Sequence, residues 1–431
     1  MPLIPRPEKH PAELLRRLVN VRRDEVAALL GAFLYFFSLL CSYYIVRPMR
    51  DEMGVAGGVE HLQWLFTGTF LAMLAVVPLF GWVSSRYERR RFLPAVYYFF
   101  ILNLLLFFVL FRAGVTHAWV ARAFFIWASV FNLFVVSVFW SFMTDIFSNE
   151  QARRLFGFIA AGGTAGAICG PLLTTALALP LGPANLLPVS AGLLGVAVFC
   201  IHRLGAWRAA AGERDAGQAE NGRAIGGQVL AGVQLVLRSP YLLGICLLML
   251  LLTTLATFLY FQQAQIVRDS FADPAQRTAV FAAMDLAVNV LTLLFQVLLT
   301  GRLVQWLGLG WTLALLPLLL AAGFLALGLS PVLGVLVVVQ VLRRAGNYAI
   351  MRPAREMLYV VLGREEKYKA KNFIDTVVYR GGDALSAWVY AGLRALGLGL
   401  AAIAFIAVPL ALLWAGVAYR LGQAQEKRDR R

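Results

Sequence analysis

Charge is scarce in this sequence: only 14% of its 431 residues are Asp, Glu, Lys or Arg, against about 25% in a soluble domain. With 60% hydrophobic residues, a soluble enzyme and a disordered hub are both excluded. Cysteine is also sparse. Cys41, Cys169, Cys200 and Cys246 lie inside apolar runs with no CxxC spacing, so they read as small buried hydrophobes and not as a disulfide or metal framework. The four histidines (His10, His61, His117 and His202) are scattered and offer no zinc constellation. There is no glycine-rich turn ending in Gly-Lys-[Ser/Thr] and no G-x-S-x-G elbow, which argues against a primary pump with its own ATPase site. The sequence therefore points to no enzyme, no cofactor and no metal.

What is present is long apolar runs. Mean hydropathy is +0.73, and the apolar residues fall in blocks of about 20, enough to cross a bilayer core as helices. Twelve candidate spans emerge at about 26–46, 62–82, 93–111, 119–141, 155–179, 185–204, 240–262, 278–300, 311–329, 331–351, 372–397 and 399–420. The net charge of +16 flanks these blocks instead of forming one stripe, so nucleic acid is not the partner; the lipid bilayer is. With an even number of spans, roughly 29 Lys/Arg fall on the side of the termini against about 6 opposite, which places both termini in the cytoplasm. The positive-inside pattern and the lack of a transit peptide make a bacterial inner membrane the expected location, and the segment before Val26, with Pro2, Pro5, Pro7 and Pro11, has no apolar core of a signal peptide. From Leu14 to Glu25 it fits a surface amphipathic helix or a tail equally well.

The expected organisation is a cytoplasmic segment (1–25), a six-helix bundle (26–204), a polar cytoplasmic linker (205–239) rich in Ala, Gly, Arg and Glu, a second six-helix bundle (240–421) and a basic tail (422–431). The halves echo each other at an offset of about 220 residues. Ile45-Val46-Arg47 recurs as Ile266-Val267-Arg268, Gly81 as Gly301, and Gly162-Gly163 as Gly381-Gly382. Two parallel six-helix halves about a midplane cavity form the architecture of major facilitator transporters, so the expected fold class is an all-α membrane protein of that type. The connection after the second span resembles that superfamily's loop motif at Gly81, Arg86, Arg89 and Arg90, with Ser85 and Glu88 where the pattern has Asp and Gly. These four residues are candidates for conformational change.

Charge inside hydrocarbon costs at least about 2.5–3.5 kcal/mol per residue, so each case calls for a reason. The candidates are Arg122, Asp285, Arg343, Arg344, Asp375, Arg380 and Asp383, with Arg47, Arg50 and Asp51 at the outer end of the first span. The excess of arginine favours an anionic substrate, because a guanidinium fork binds carboxylate or phosphate oxygens bidentately. Bland readings stand beside this one. Arg122 could snorkel outward, and Arg343 and Arg344 point about 100° apart, so at most one faces a cavity squarely. Arg380 and Asp383 could pair within their helix. Asp285 could couple protons or pair with Arg343 or Arg380. Tyr43 and Tyr44 fit an interfacial belt or a ring-stacking role. The run from Gly157 to Pro171, with Gly162, Gly163, Gly166 and Gly170, reads as close helix packing.

The stretch Glu356-Met-Leu-Tyr-Val-Val-Leu-Gly-Arg-Glu-Glu-Lys-Tyr-Lys-Ala-Lys-Asn-Phe-Ile-Asp375-Thr-Val-Val-Tyr-Arg380-Gly-Gly-Asp383 resembles the most distinctive segment of the ATP/ADP translocase family. These are the non-mitochondrial nucleotide transporters of plastids and intracellular bacteria. Arg47 and the pair Arg50-Asp51 stand where that family carries an arginine and then Lys-Asp. The resemblance implies a twelve-helix antiporter exchanging ATP for ADP, or a proton-linked nucleotide importer, working as a monomer. It also implies that Arg47, Arg50, Arg343 or Arg344, and Arg380 hold phosphates, while Asp51, Asp285, Asp375 and Asp383 gate or couple. Arg50 in place of lysine keeps the charge but changes the donor geometry. Two other readings stay open: a proton-coupled exporter of a less charged metabolite with Asp285 as proton carrier, and a membrane scaffold or sensor on a transporter fold.

Overall fold

The computed structural model describes residues 21, 22, 24–86, 89–114, 118–212, 235–363, 370, 371 and 373–429, and no strand occurs among them. Long apolar runs lead to this outcome because, in hydrocarbon, a helix satisfies every backbone N–H and C=O within one segment. The first six helices are α1 (Val26–Ala56), α2 (Leu62–Arg86), α3 (Arg89–Arg112), α4 (Ala118–Ile146), α5 (Asn149–Leu181) and α6 (Leu186–Gly212). Next come α7 (Pro240–Ser270), α8 (Pro274–Leu298), α9 (Thr300–Leu329) and α10 (Leu333–Gly346). A π-helical turn, Asn347–Met351, leads into α11 (Arg352–Met357), and a second, Ile374–Val378, leads into α12 (Tyr379–Ala395). The last helix is α13 (Leu400–Asp429).

Eleven stretches among the described residues are long and apolar enough to cross a membrane. This is a multi-pass membrane protein. The eleventh expected span, 372–397, is not among them: its helix α12 has 17 residues and carries Arg380, Asp383 and Arg394. Sequence-local signals set several helix starts. Ser148 and Gln151 form a reciprocal capping box before α5, Ser239 accepts from the Leu242 N–H before Pro240, and Asp273 accepts from the Ala275 N–H before Pro274. Each satisfies donors that the first turn leaves orphaned.

The chain divides into two compact units. One comprises the described residues of Met1–Arg47, Val77–Val115 and Ala128–Glu220. Its glycine run packs α5 onto α1 at backbone distance, as the spacing suggested. A Cβ on Gly162 would lie 2.6 Å from the Phe33 carbonyl oxygen, and one on Gly170 2.7 Å from that of Cys41. Gly166 meets the Phe37 carbonyl in the same way. The Tyr35 and Tyr97 hydroxyls hydrogen-bond at 2.6 Å, and Phe36 stacks on Phe139 with ring centroids 4.0 Å apart. At its terminal end Glu25, 1% exposed, accepts from Arg154 Nη2 at 2.9 Å and from Gln151 Nε2 at 3.0 Å.

The other unit comprises the described residues of Pro48–Val76, Thr116–Trp127 and Asn221–Arg431. The last turns of α1, the first half of α2 and the first turns of α4 thus belong with α7 to α13. In this unit α9 bends at Gly308, whose φ of 72° suits glycine, and Glu426 Oε1 accepts from the Leu309 N–H at 2.9 Å just beyond the bend.

Several boundaries move outward from the expected ones. Residues 47–56 continue α1 because their charges are satisfied within the fold, so Arg47, Arg50 and Asp51 lie inside the helix instead of closing its end. The tail expected from 422 is helical to Asp429: Gly422 packs against Gly310, and Arg428 lies over the Tyr241 ring, 4.4 Å from its centroid. α6 runs to Gly212, so the linker begins later than 205. Most of that linker, and the segment Leu14–Glu25 up to residue 20, lie outside the described residues.

Candidate functional site

The charged residues of the second unit collect in four places. The first is around Asp383. α12 approaches α7 closely at Gly382, where a Cβ would lie 2.5 Å from Thr253 Oγ1. This brings the adjacent Asp383 against α7. Arg380, one turn away on α12, sits with Nη1 3.8 Å from Asp383 Oδ2 and lies 5.4 Å from the Tyr379 ring centroid. From α10, Arg343 also acts electrostatically on Asp383, and Tyr348 acts with it on Tyr379. Arg343 is itself oriented: its Nε donates to Gln340 Oε1 at 2.9 Å, and Gln340 Nε2 donates to Gln263 Oε1 at 2.5 Å. Both glutamines are buried. One guanidinium thus lies within ion-pair distance of the carboxylate and a second acts on it from α10, with a π-helical turn beside each arginine, and such turns recur at functional sites.

Arg344 belongs to a different environment, as the 100° rotation requires. Its Nη2 lies 2.5 Å from Asp285 Oδ1, with 7% and 1% of the two side chains exposed. Asp285 therefore pairs with Arg344, a partner that the sequence reading did not name beside Arg343 and Arg380. Asp375 lies elsewhere again. It is 3.5 Å from Arg355 Nη2, near the pair Lys371–Glu356 at 2.5 Å.

The fourth place is the end remote from the chain termini, where α1 meets its successors. Arg50 Nη2 holds Asp51 Oδ1 at 2.6 Å, and the Tyr260 hydroxyl donates to the same oxygen at 3.0 Å. Arg50 also lies 5.1 Å from the Phe125 ring centroid. Next to them, Glu52 is fully buried and bound through both oxygens by Arg277, at 2.6 and 2.7 Å. Arg277 Nη1 then donates to the Phe271 and Ala272 carbonyls, both at 3.0 Å. Glu60 and Arg268 pair nearby at 2.6 Å. Arg122 belongs to this end: its Nε donates to the Gly57 carbonyl at 3.2 Å and its guanidinium covers the Trp119 ring. A cation at a helix C-terminus satisfies an orphan carbonyl and complements the dipole, and this local duty accounts for Arg122.

Arg47 lies in the first unit, 5.7 Å from the Tyr44 ring centroid. Gly81 lies within α2 and the exposed Arg86 in its last turn, while Arg89 and Arg90 open α3. The side chains of Arg89 and Arg90, and residues 364–369 with Asn372, lie outside the described part. Glu52, Arg277, Glu60, Gln263 and Gln340 are the polar residues that sequence reasoning missed. An available signal was Glu52 itself, a third consecutive charge in a segment still rich in helix formers.

Comparison with known proteins gives the family and the fold. A model of the Major Facilitator Superfamily matches residues 28–366. The chain is similar to ADP,ATP carrier protein 2 of Chlamydia pneumoniae, 21% identical over 493 aligned residues covering 94% of this chain and 90% of that one. In fold it is similar to the nucleoside transporter NupG, with a TM-score of 0.62 and 14% identity over 95% of this chain and 100% of the other. It is also similar to the POT family transporter PepTSo, with a TM-score of 0.64 and 13% identity over 93% and 98%. A bacterial homologue of the iron transporter ferroportin gives 0.63 and 15% over the same shares.

Proposed function

The chain belongs to the Major Facilitator Superfamily, a family of transporters and not of enzymes, and we propose that it is a secondary carrier exchanging organic anions, nucleotides of the ATP/ADP type first among them. The observation that carries this reading is the cluster in which Arg343 and Arg380 act on the single carboxylate of Asp383. Arginine forks suit phosphate oxygens, and the Gln263–Gln340 relay holds one of them in place. Similarity to an ADP,ATP carrier and the segment from Glu356 to Asp383 support the choice of nucleotide.

In this mechanism two six-helix halves rock about the site, which faces each side in turn. Repulsion between the two guanidiniums opposes closure of the empty carrier. Phosphate oxygens offset that repulsion, so the loaded carrier crosses and exchange follows. The packing of the α1, α2 and α4 tips with α7 to α13 in one unit supports a state closed at the end remote from the termini. We place both termini in the cytoplasm, with Arg86, Arg89 and Arg90 on that side, and the carrier as a monomer in a bacterial inner membrane. The partnership of Asp285 with Arg344 favours a structural role for that carboxylate over proton carriage.

The test is Arg380→Ala in proteoliposomes. Exchange of labelled ATP should fall by at least about tenfold, the loss of one charge-assisted contact, while the protein inserts and melts normally. Wild-type exchange in that variant would overturn the assignment.

A further inference from the structure

At the end remote from the termini, the second unit holds an open cavity of about 420 Å³ that the reading above leaves unused. Glu60, Gln265, Arg268, Tyr390 and Arg394 line it, with Phe261 as an apolar wall. Three connections converge here: the turn Val59–His61 between α1 and α2, the end of α7, and the end of α12. Arg268 is the centre of its chemistry. Its Nη1 lies 2.6 Å from Glu60 Oε1, and its Nη2 donates to Gln265 Oε1 at 3.2 Å. Arg394 faces the same space and donates to the Leu398 carbonyl at 3.1 Å. Tyr390 is 4% exposed, and its hydroxyl has no hydrogen-bond partner among the described residues.

Two of the acid–base pairs at this end differ in kind. Glu52 and Arg277 are buried, and separating them would strand a charge away from water. The side chains of Glu60 and Arg268 are 63% and 34% exposed, and an exposed pair of this sort is worth little. A ligand that offers several anionic oxygens can take Arg268 from Glu60, engage Arg394 and satisfy the Tyr390 hydroxyl. We infer that this cavity is a recognition site for the phosphate end of an organic anion, and that Glu60 is a built-in stand-in for that ligand. Resting on the carrier reading above, the ligand is the transported anion itself. Its arrival releases the α1–α2 turn from α7, so that binding at this face loosens the contacts closing it.

The test isolates the cavity from the Asp383 cluster. Binding of ATP, and separately of pyrophosphate, is measured by calorimetry on purified full-length protein carrying Arg380→Ala. Residual binding of both anions is expected. Glu60→Gln should tighten it about threefold, the weight of one exposed ion pair, and Arg394→Gln and Tyr390→Phe should each weaken it. Absence of binding in the Arg380→Ala protein, or binding indifferent to residues 60, 390 and 394, would overturn the inference. Glu60→Gln is isosteric and exposed, so folding does not confound it. If wild-type protein binds pyrophosphate in this Glu60-dependent way but exchanges no ATP, the nucleotide reading fails and the cavity stands.

Discussion

Arg277 meets both carboxylate oxygens of Glu52, Nε at 2.6 Å and Nη2 at 2.7 Å, across a sequence separation of 225 residues. The pair joins the last turn of α1 to the α7–α8 connection and is sealed from water. Glu52→Ala leaves the Arg277 charge buried and alone, a loss of about 3–5 kcal/mol. Purified protein should melt several degrees lower. Glu52→Leu with Arg277→Met should recover most of the loss, since an apolar pair of similar volume often replaces a buried ion pair. If the double replacement melts as low as the single one, the ion pair is not the cause.

Asp285 and Arg344 make the equivalent test inside the second unit. Asp285→Asn and Arg344→Gln should each destabilise, and the two together should cost clearly less than their sum, because residues in one ion pair do not act additively. A proton carrier predicts the opposite pattern: unchanged melting for Asp285→Asn, with only gradient-driven uptake lost.

Gly166 has no room for a side chain against the Phe37 carbonyl of α1. Gly166→Leu should part α5 from α1 at a cost of about 1–3 kcal/mol or more, read by thermal unfolding. Gly157→Ala, with nothing within 4 Å of the new methyl group, is the control and should be neutral or slightly stabilising.

Acid sensitivity should report Glu25. Burial raises its carboxyl, but hydrogen bonds from Arg154, from the Arg22 backbone N–H and from Gln151, with the Arg154 charge, outweigh burial and hold it below the ordinary glutamate value. A depressed carboxylate contributes stability that is fully present above its unfolded value of about 4.3, and that is lost as pH falls through the lower folded value. Melting temperature should therefore fall on acidification through that window, and the fall should be shallower in Glu25→Gln. Parallel pH profiles for the two proteins would contradict the assignment.

Most of the fold was legible in the sequence because apolar runs long enough to span a membrane have few alternatives to helix. The helix ends were not. Arg47, Arg50 and Asp51 read as the close of α1, yet these charges and that of the unread Glu52 meet groups in the fold and the helix continues to Ala56. Charge marks a helix end only when nothing distant neutralises it, and a partner such as Arg277 is invisible to local pattern. The same holds for α13, where Gly422 and Glu426 look like tail but pack on and cap α9. In the site, the short-range relation of Arg380 to Asp383 was readable from their spacing. Sequence also set the angle between Arg343 and Arg344. It could not say which of them meets Asp285, nor that Gln340 and Gln263 orient the other. Nor could it show that Arg122 donates to the Gly57 carbonyl, a contact 65 residues away in the chain.

The most direct test of the central claim is counterflow of labelled ATP into proteoliposomes preloaded with ADP or left empty. Exchange of organic anions predicts rapid uptake into loaded vesicles and almost none into empty ones, with both reduced to background in Arg380→Ala. Equal uptake regardless of internal nucleotide, or no uptake by folded wild-type protein, would contradict it.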